Sequence, residues 1–158
     1  MRFLIISFFL LTASFQGFSQ TKKEVKQHKI KASAVTSTEN GKTITEKKTI
    51  FDAKGNEVEV TDYTKEGIVK SIHKFKYNSE GDETEDFQYD AANKLVEKKL
   101  TKYNMLGEKT EEVFYDANDK LTKKHVYVYD SQGLKIERKT LDAEGKVISI
   151  KKHIYITK

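Results

Sequence analysis

From about residue 30 onward the apolar residues alternate with polar ones in short runs, such as "KLTKKHVYVY" and "LKIERKTL", each ended by a Gly, Asn or Asp. The runs are rich in Thr, Val, Ile and Tyr and contain no proline, which is strand chemistry. A turn residue every dozen positions leaves no room for an amphipathic helix between turns. The pattern predicts about ten strands, the first over roughly Ile30 to Val35 and the last over Val147 to Ile156.

The runs repeat on a beat. Phe51, Tyr63, Tyr77, Tyr89, Tyr103, Tyr115, Tyr129, Leu141 and Tyr155 open successive units at alternating steps of 12 and 14 residues, so the true repeat is a pair of units 26 residues long. A period of this size decides an architecture. The second position is usually Asp or Asn, at Asp52, Asn78, Asp90, Asn104, Asp116, Asp130 and Asp142 with Thr64 between them, and the fifth is Gly55, Gly67, Gly81, Asn93, Gly107, Asp119, Gly133 or Gly145. Gly41 falls on the same grid. A three-residue hairpin loop needs one residue in the left-handed region, where Gly is unstrained and Asn or Asp fares best among the rest. The second-position side chain can bond back to the turn backbone. Each unit is therefore a turn plus a strand, and the units join into an all-β antiparallel meander.

Both steps are even, so odd-numbered residues are expected on one face and even-numbered ones on the other. Position one of a unit then faces position seven, pairing Tyr63 with Val69, Tyr89 with Leu95, Tyr115 with Leu121 and Leu141 with Val147. Two pairs further from the turn, the same rule sets Glu59 against His73, Glu85 against Lys99, Glu111 against His125 and Glu137 against Lys151. On the even face it sets Asp86 against Lys98 and Glu112 against Lys124. The odd face would carry most of the aromatic rings, from Phe51 to Tyr155. A sheet this wide is expected to be open and curved. Closure into a barrel is left open by the sequence. Lys151 and Lys152 near the last edge read as guards against further pairing.

The first residues, "MRFLIISFFLLTASFQGFSQ", carry one charge at Arg2, an apolar run from Phe3 to Phe15, and small residues Gly17 and Ser19 before Gln20. This predicts a signal peptide over 1–19, an exported protein, periplasmic or secreted, and no membrane span once the peptide is cut. Residues 20–29, "QTKKEVKQHK", are expected as a basic tail, and 30–158 as the β-repeat domain. The chain contains no cysteine, which excludes disulfides, thiol catalysis and a lipid anchor at the cut site. The net charge of +5 is spread along the chain, and acids interleave nearly every basic run, which argues against nucleic acid as a partner.

Candidate chemistry is sparse. A Glu recurring beside a His invites an acid–base reading, but pairs repeated two strands apart, at about 4.8 Å per strand, do not converge. His73 and His125 would stand roughly 19 Å apart, so no metal is assigned. No catalytic residue and no cofactor is assigned either. Tyr77, Tyr103 and Tyr129 form a stripe with Lys nearby, and exposed aromatic rings can stack on a glycan. They are the candidate binding residues.

At "FQYDAANKLVEK", "VFYDANDKLTKK" and "YVYDSQGLKIERKTLDAEGKV" the chain resembles the tyrosine-aspartate (YD) repeats of the Rhs family and of secreted bacterial proteins built from similar units, over about residues 37 to 156. The resemblance implies β-sheet building material with a passive, enclosing or presenting role. In the large members of that family such repeats wind into a shell around a toxin; this chain departs from the pattern and is expected to carry no toxin, since Tyr155 opens another unit and the sequence stops at Lys158. The function read from the sequence is a non-enzymatic exported module with a structural or binding role at the cell envelope. Its partner is unknown, either an envelope polymer or a protein. Two sharper alternatives are glycan or anionic-polymer binding through the Tyr stripe, and a protein-interaction or inhibitory module that uses an exposed sheet edge.

Overall fold

The computed structural model describes residues 21–156. The expected signal peptide, residues 1–19, lies outside the described residues. One ten-stranded antiparallel sheet follows chain order from end to end. Its strands are β1 (Ala32–Glu39), β2 (Lys42–Phe51), β3 (Glu57–Tyr63), β4 (Val69–Tyr77), β5 (Glu83–Tyr89), β6 (Leu95–Tyr103), β7 (Lys109–Asp116), β8 (Leu121–Tyr129), β9 (Lys135–Asp142) and β10 (Val147–Lys152). β1 and β10 are the two edges, and the sheet does not close into a barrel. Among the described residues no helix is long and apolar enough to cross a membrane.

The turns are built as their residues dictate. In the β3–β4 hairpin the Gly67 N–H donates to the Thr64 carbonyl at 2.9 Å, and the Thr64 N–H donates to the Ile68 carbonyl at 2.8 Å. The same pair of bonds recurs in each later hairpin. Second-position side chains accept from the turn backbone, as Asp90 does from the N–H groups of Ala92 and Lys94 at 2.9 Å. Thr64 does the same through its hydroxyl, at 3.2 and 3.4 Å. Asn93 and Asp119 take the left-handed conformation at φ of 59° and 58° where the other units use glycine. The first hairpin departs from the grid. Asn40 and Gly41 both have positive φ and join Glu39 directly to Lys42, a two-residue Asn-Gly turn, so β1 runs on to Glu39 past the expected end at Val35.

The position-one pairs form as expected: Tyr63 faces Val69, Tyr89 faces Leu95, Tyr115 faces Leu121 and Leu141 faces Val147. One residue further in, every hairpin from β2–β3 onward shifts register by one. The extra residue is a β-bulge beside the turn, and it overturns the rule of odd and even faces. One face carries odd-numbered residues of β4, β6 and β8 and even-numbered residues of β3, β5, β7 and β9. The other carries the complement. The aromatic rings are consequently divided, with Phe75, Phe114 and Tyr127 on the first face and Phe87, Tyr89 and Tyr115 on the second. Where the bulged residue is Thr84, Thr110 or Thr122, its hydroxyl donates to a carbonyl of the facing strand at 3.0 to 3.3 Å.

Burial is shallow. Val60, Thr101, Glu112 and Phe114 are covered on the first face, and Thr61 and Val113 on the second. The segment expected as a basic tail instead contains a short helix, α1 (Lys22–Gln27). Thr21 and Glu24 form a reciprocal capping box, with the Thr21 N–H donating to the Glu24 carboxylate at 2.9 Å and the Glu24 N–H to the Thr21 hydroxyl at 3.3 Å. Val25 is only 1% exposed. The helix lies so close to the β2–β3 turn that a side-chain carbon at Gly55 would sit 2.6 Å from the Lys22 carbonyl oxygen.

Candidate functional site

Tyr77, Tyr103 and Tyr129 end β4, β6 and β8, and each is half-buried. Their hydroxyls donate to the backbone carbonyls of Glu57, Glu83 and Lys109 at 2.7, 2.9 and 2.9 Å, in each case the first residue of the preceding strand. Tyr155 repeats the contact on the Lys135 carbonyl at 2.8 Å. The interval is 20 residues every time, and each carbonyl lies beside the bulge, where the ladder is interrupted. Each tyrosine is thus a peg that satisfies a carbonyl the bulge leaves aside. Burial, together with nearby carboxylates such as Glu83, raises the Tyr77 and Tyr103 hydroxyls above the ordinary phenol range. Burial and Glu108 do the same to Tyr129. These groups stay protonated and keep donating.

The acids and bases of the first face form a row at steps of 13 residues: His73, Asp86, Lys99, Glu112, His125, Arg138 and Lys151. The register replaces the expected partners. His73 faces Val60, with Lys74 opposite Glu59; Asp86, not Glu85, faces Lys99; Glu112, not Glu111, faces His125; and Glu137 faces Lys152. Lys98 and Lys124 face Phe87 and Val113 in place of Asp86 and Glu112. The one-residue bulge is the reason in every case. His73 Nδ1 lies 2.9 Å from Asp86 Oδ1, and the Lys99 ammonium lies 3.3 Å from Asp86 and 2.9 Å from Glu83. Burial disfavours the Lys99 charge, but Glu83 and Asp86 together hold it above its ordinary value.

Glu112 centres the densest cluster. Lys109 reaches it at 2.6 Å, His125 Nδ1 lies at 3.3 Å, and the Tyr127 hydroxyl donates to it. Burial works to raise its carboxyl, but the bonds from Lys109 and Tyr127 outweigh that and bring it down to about 2. Tyr127 is raised in turn by burial and by Glu112. Lysines also cap the rings on both faces, with Lys123 4.3 Å from the Phe114 ring centre, Lys98 4.9 Å from that of Tyr115 and Lys74 5.1 Å from that of Tyr89. Among the described residues no three His, Cys, Asp or Glu side chains are placed to hold a metal ion.

The expected site residues are thus brought into one repeating device and not into a shared pocket; Tyr77 alone lines a shallow hollow, with Lys22, Phe51 and Glu57. Tyr77, Tyr103 and Tyr129 stand two strands apart with their hydroxyls occupied and their rings half-covered. The Glu112 cluster was not anticipated. Its signal was the 13-residue spacing of charged residues, hidden by the assumption of unbroken register.

No protein-family model matches the chain, and no curated protein sequence matches it. Among solved structures it is similar to a protein of unknown function from Bacteroides fragilis NCTC 9343, with 14% identity over 80% of this chain and 96% of that one and a TM-score of 0.44. It is also similar to TarM, with 16% identity over 80% of this chain and 22% of that one and a TM-score of 0.32. A third similarity is to the GtfA/B complex bound to UDP and GlcNAc, with 12% identity over 75% of this chain and 24% of that one and a TM-score of 0.22.

Proposed function

We propose that the chain is a non-enzymatic exported β-repeat module of the YD-repeat kind, with a structural or binding role at the cell envelope. The observation that carries this reading is that its recurring polar groups are consumed by their own turn or by neighbouring strands. Second-position acids hold turns, tyrosine hydroxyls hold bulge carbonyls, and carboxylates hold bases on flanking strands. Chemistry at one centre needs groups that converge and differ in role, whereas most of these are spread over the sheet, and the one dense cluster, around Glu112, is closed on itself by Lys109, His125 and Tyr127. Surface presented in register is what such a sheet supplies.

The test incubates the chain from Gln20 with envelope fractions and insoluble cell-wall polymer across a salt series. Salt-resistant retention on one fraction is expected, and Tyr103→Phe is expected to retain it while losing about 0.5 to 1.5 kcal/mol of stability in urea unfolding. Loss of retention in Tyr103→Phe with unchanged stability would instead make the tyrosines ligand contacts. A catalytic turnover that co-purifies with the chain and vanishes on one substitution would overturn the proposal.

A further inference from the structure

The strands alternate in charge. Counting Lys and Arg as positive and Asp and Glu as negative, β3 (Glu57, Glu59, Asp62) and β5 (Glu83, Glu85, Asp86) each carry −3. β7 carries −2, from Glu111, Glu112 and Asp116 against Lys109. The strands beside them are basic: β4 with three lysines is +3, β6 with three lysines against Glu97 is +2, and β8 with two is +2. Each acidic strand inside the sheet thus lies between two basic ones and bonds to both, as Glu111 does to Lys102 at 3.0 Å and to Lys124 at 3.2 Å.

The alternation fails at the C-terminal edge. β9 occupies an acidic strand's place but carries Lys135, Arg138 and Lys139 against Glu137 and Asp142, a net +1. Where Asp86 faces Lys99 and Glu112 faces His125, Arg138 faces Lys151, and its Nε is buried without a partner. β10 then adds Lys151 and Lys152, for +2, and no described strand lies beyond it. The edge is also apolar and open, with Ile148 60%, Ile150 51% and Ile154 88% exposed. The His153 N–H bonds inward to the Ile136 carbonyl, and Ile150 and Lys152 sit an odd number of residues from it, so their N–H and C=O groups turn outward. β1, the opposite edge, is blunted by a bulge at Val35/Thr36 within the strand. β10 has its only register shift beside the turn.

We propose that β10 is a docking edge for an extended acidic segment of a partner protein, added as an eleventh antiparallel strand with the acid-and-aromatic pattern of β5, "ETEDFQY". This inference rests on the reading of the chain as a binding module and names the chemistry of its partner. The outward edges of β4 and β6 are the same edge three and two repeats earlier, and acidic strands cover them through contacts such as Lys76–Glu85 at 2.9 Å and Lys102–Glu111 at 3.0 Å. Along β2, β4 and β6, then, lysines on an even-numbered strand mark the place where an acidic strand pairs, and only β8, beside β9 at +1, departs from this. Lys151 and Lys152, expected from the sequence to discourage pairing, select the charge of the strand that pairs.

The test titrates the isotope-labelled chain from Gln20 with two end-blocked peptides, ETEDFQY from β5 and VKSIHKFKY from β4, following backbone amide shifts. The acidic peptide is expected to move amides of residues 147–156 and to bind about tenfold more weakly at high salt than at low salt. Ile150→Pro, which removes an outward N–H, should abolish the shifts and leave amides elsewhere in place. The double variant Lys151→Glu, Lys152→Glu should switch the preference to the basic peptide. Equal response to both peptides, shifts at β1 in place of β10, or no shift at all would overturn the proposal. Self-association without peptide would overturn it in favour of a second copy. Envelope retention that persists in Ile150→Pro would leave the proposed function standing while removing this edge from it.

Discussion

Glu112 is buried among groups that want its charge. Lys109, Tyr127 and His125 all reach it, and its carboxyl falls from 4.5 to about 2. A carboxylate depressed in the folded state stabilises fully above its unfolded value, and that contribution is lost as pH falls from about 4.5 toward 2. Glu112→Gln should cost about 1 to 3 kcal/mol at pH 7 and flatten the acid limb over that window, so that variant and parent converge near pH 2 in urea midpoints. Parallel curves would show that the cluster contributes nothing specific. The paired acids were visible in the sequence, but which acid meets which base was not, because one bulged residue moves the partner from Glu111 to Glu112.

At the scale of the element, the hairpin turn is the unit that the sequence writes most plainly. The fifth position needs φ near +60° to +90°, and Gly107 sits at 76° with nothing within 4 Å of where a side-chain carbon would stand. Gly107→Ala should therefore cost about 1 kcal/mol through backbone strain alone. Asn93→Gly, at 59°, should raise stability by about 0.5 kcal/mol. Thermal unfolding of the two variants checks both signs, and a shift of the same sign in both would contradict the turn assignment. The helix α1 shows the opposite case. Its Thr21-x-x-Glu24 capping box was readable, yet the surrounding lysines make the segment look like a solvated tail. Burial of Val25 and close approach to the Gly55 turn give it a place.

For the whole molecule, the 26-residue pair is the structural quantum, because two hairpins return both the facing of the side chains and the alternation of charge. Deleting residues 90–115 removes β6 and β7 and should leave a shorter sheet that unfolds cooperatively, with a denaturant slope reduced roughly in proportion to its surface. Deleting residues 104–115 alone removes β7 and sets basic β6 against basic β8. That chain should lose cooperative unfolding. Circular dichroism during urea titration distinguishes the two, and equal behaviour would mean that single strands, not pairs, are the repeating unit.

The sequence by itself determined the all-β meander, the number of strands and, in every hairpin after the first, the turn at the fifth position and the pair that closes it. Those follow from local chemistry: alternation, β-branched content and residues able to take positive φ. Only the tertiary structure decided which residues share a face, which acid meets which base, and that the tyrosines at strand ends reach back 20 residues to a carbonyl. Each of these depends on the bulge beside the turn. A bulge adds one residue without adding a distinctive one, since Lys70, Val96 and Thr122 all fill the place, so its consequence appears only when two strands are laid side by side.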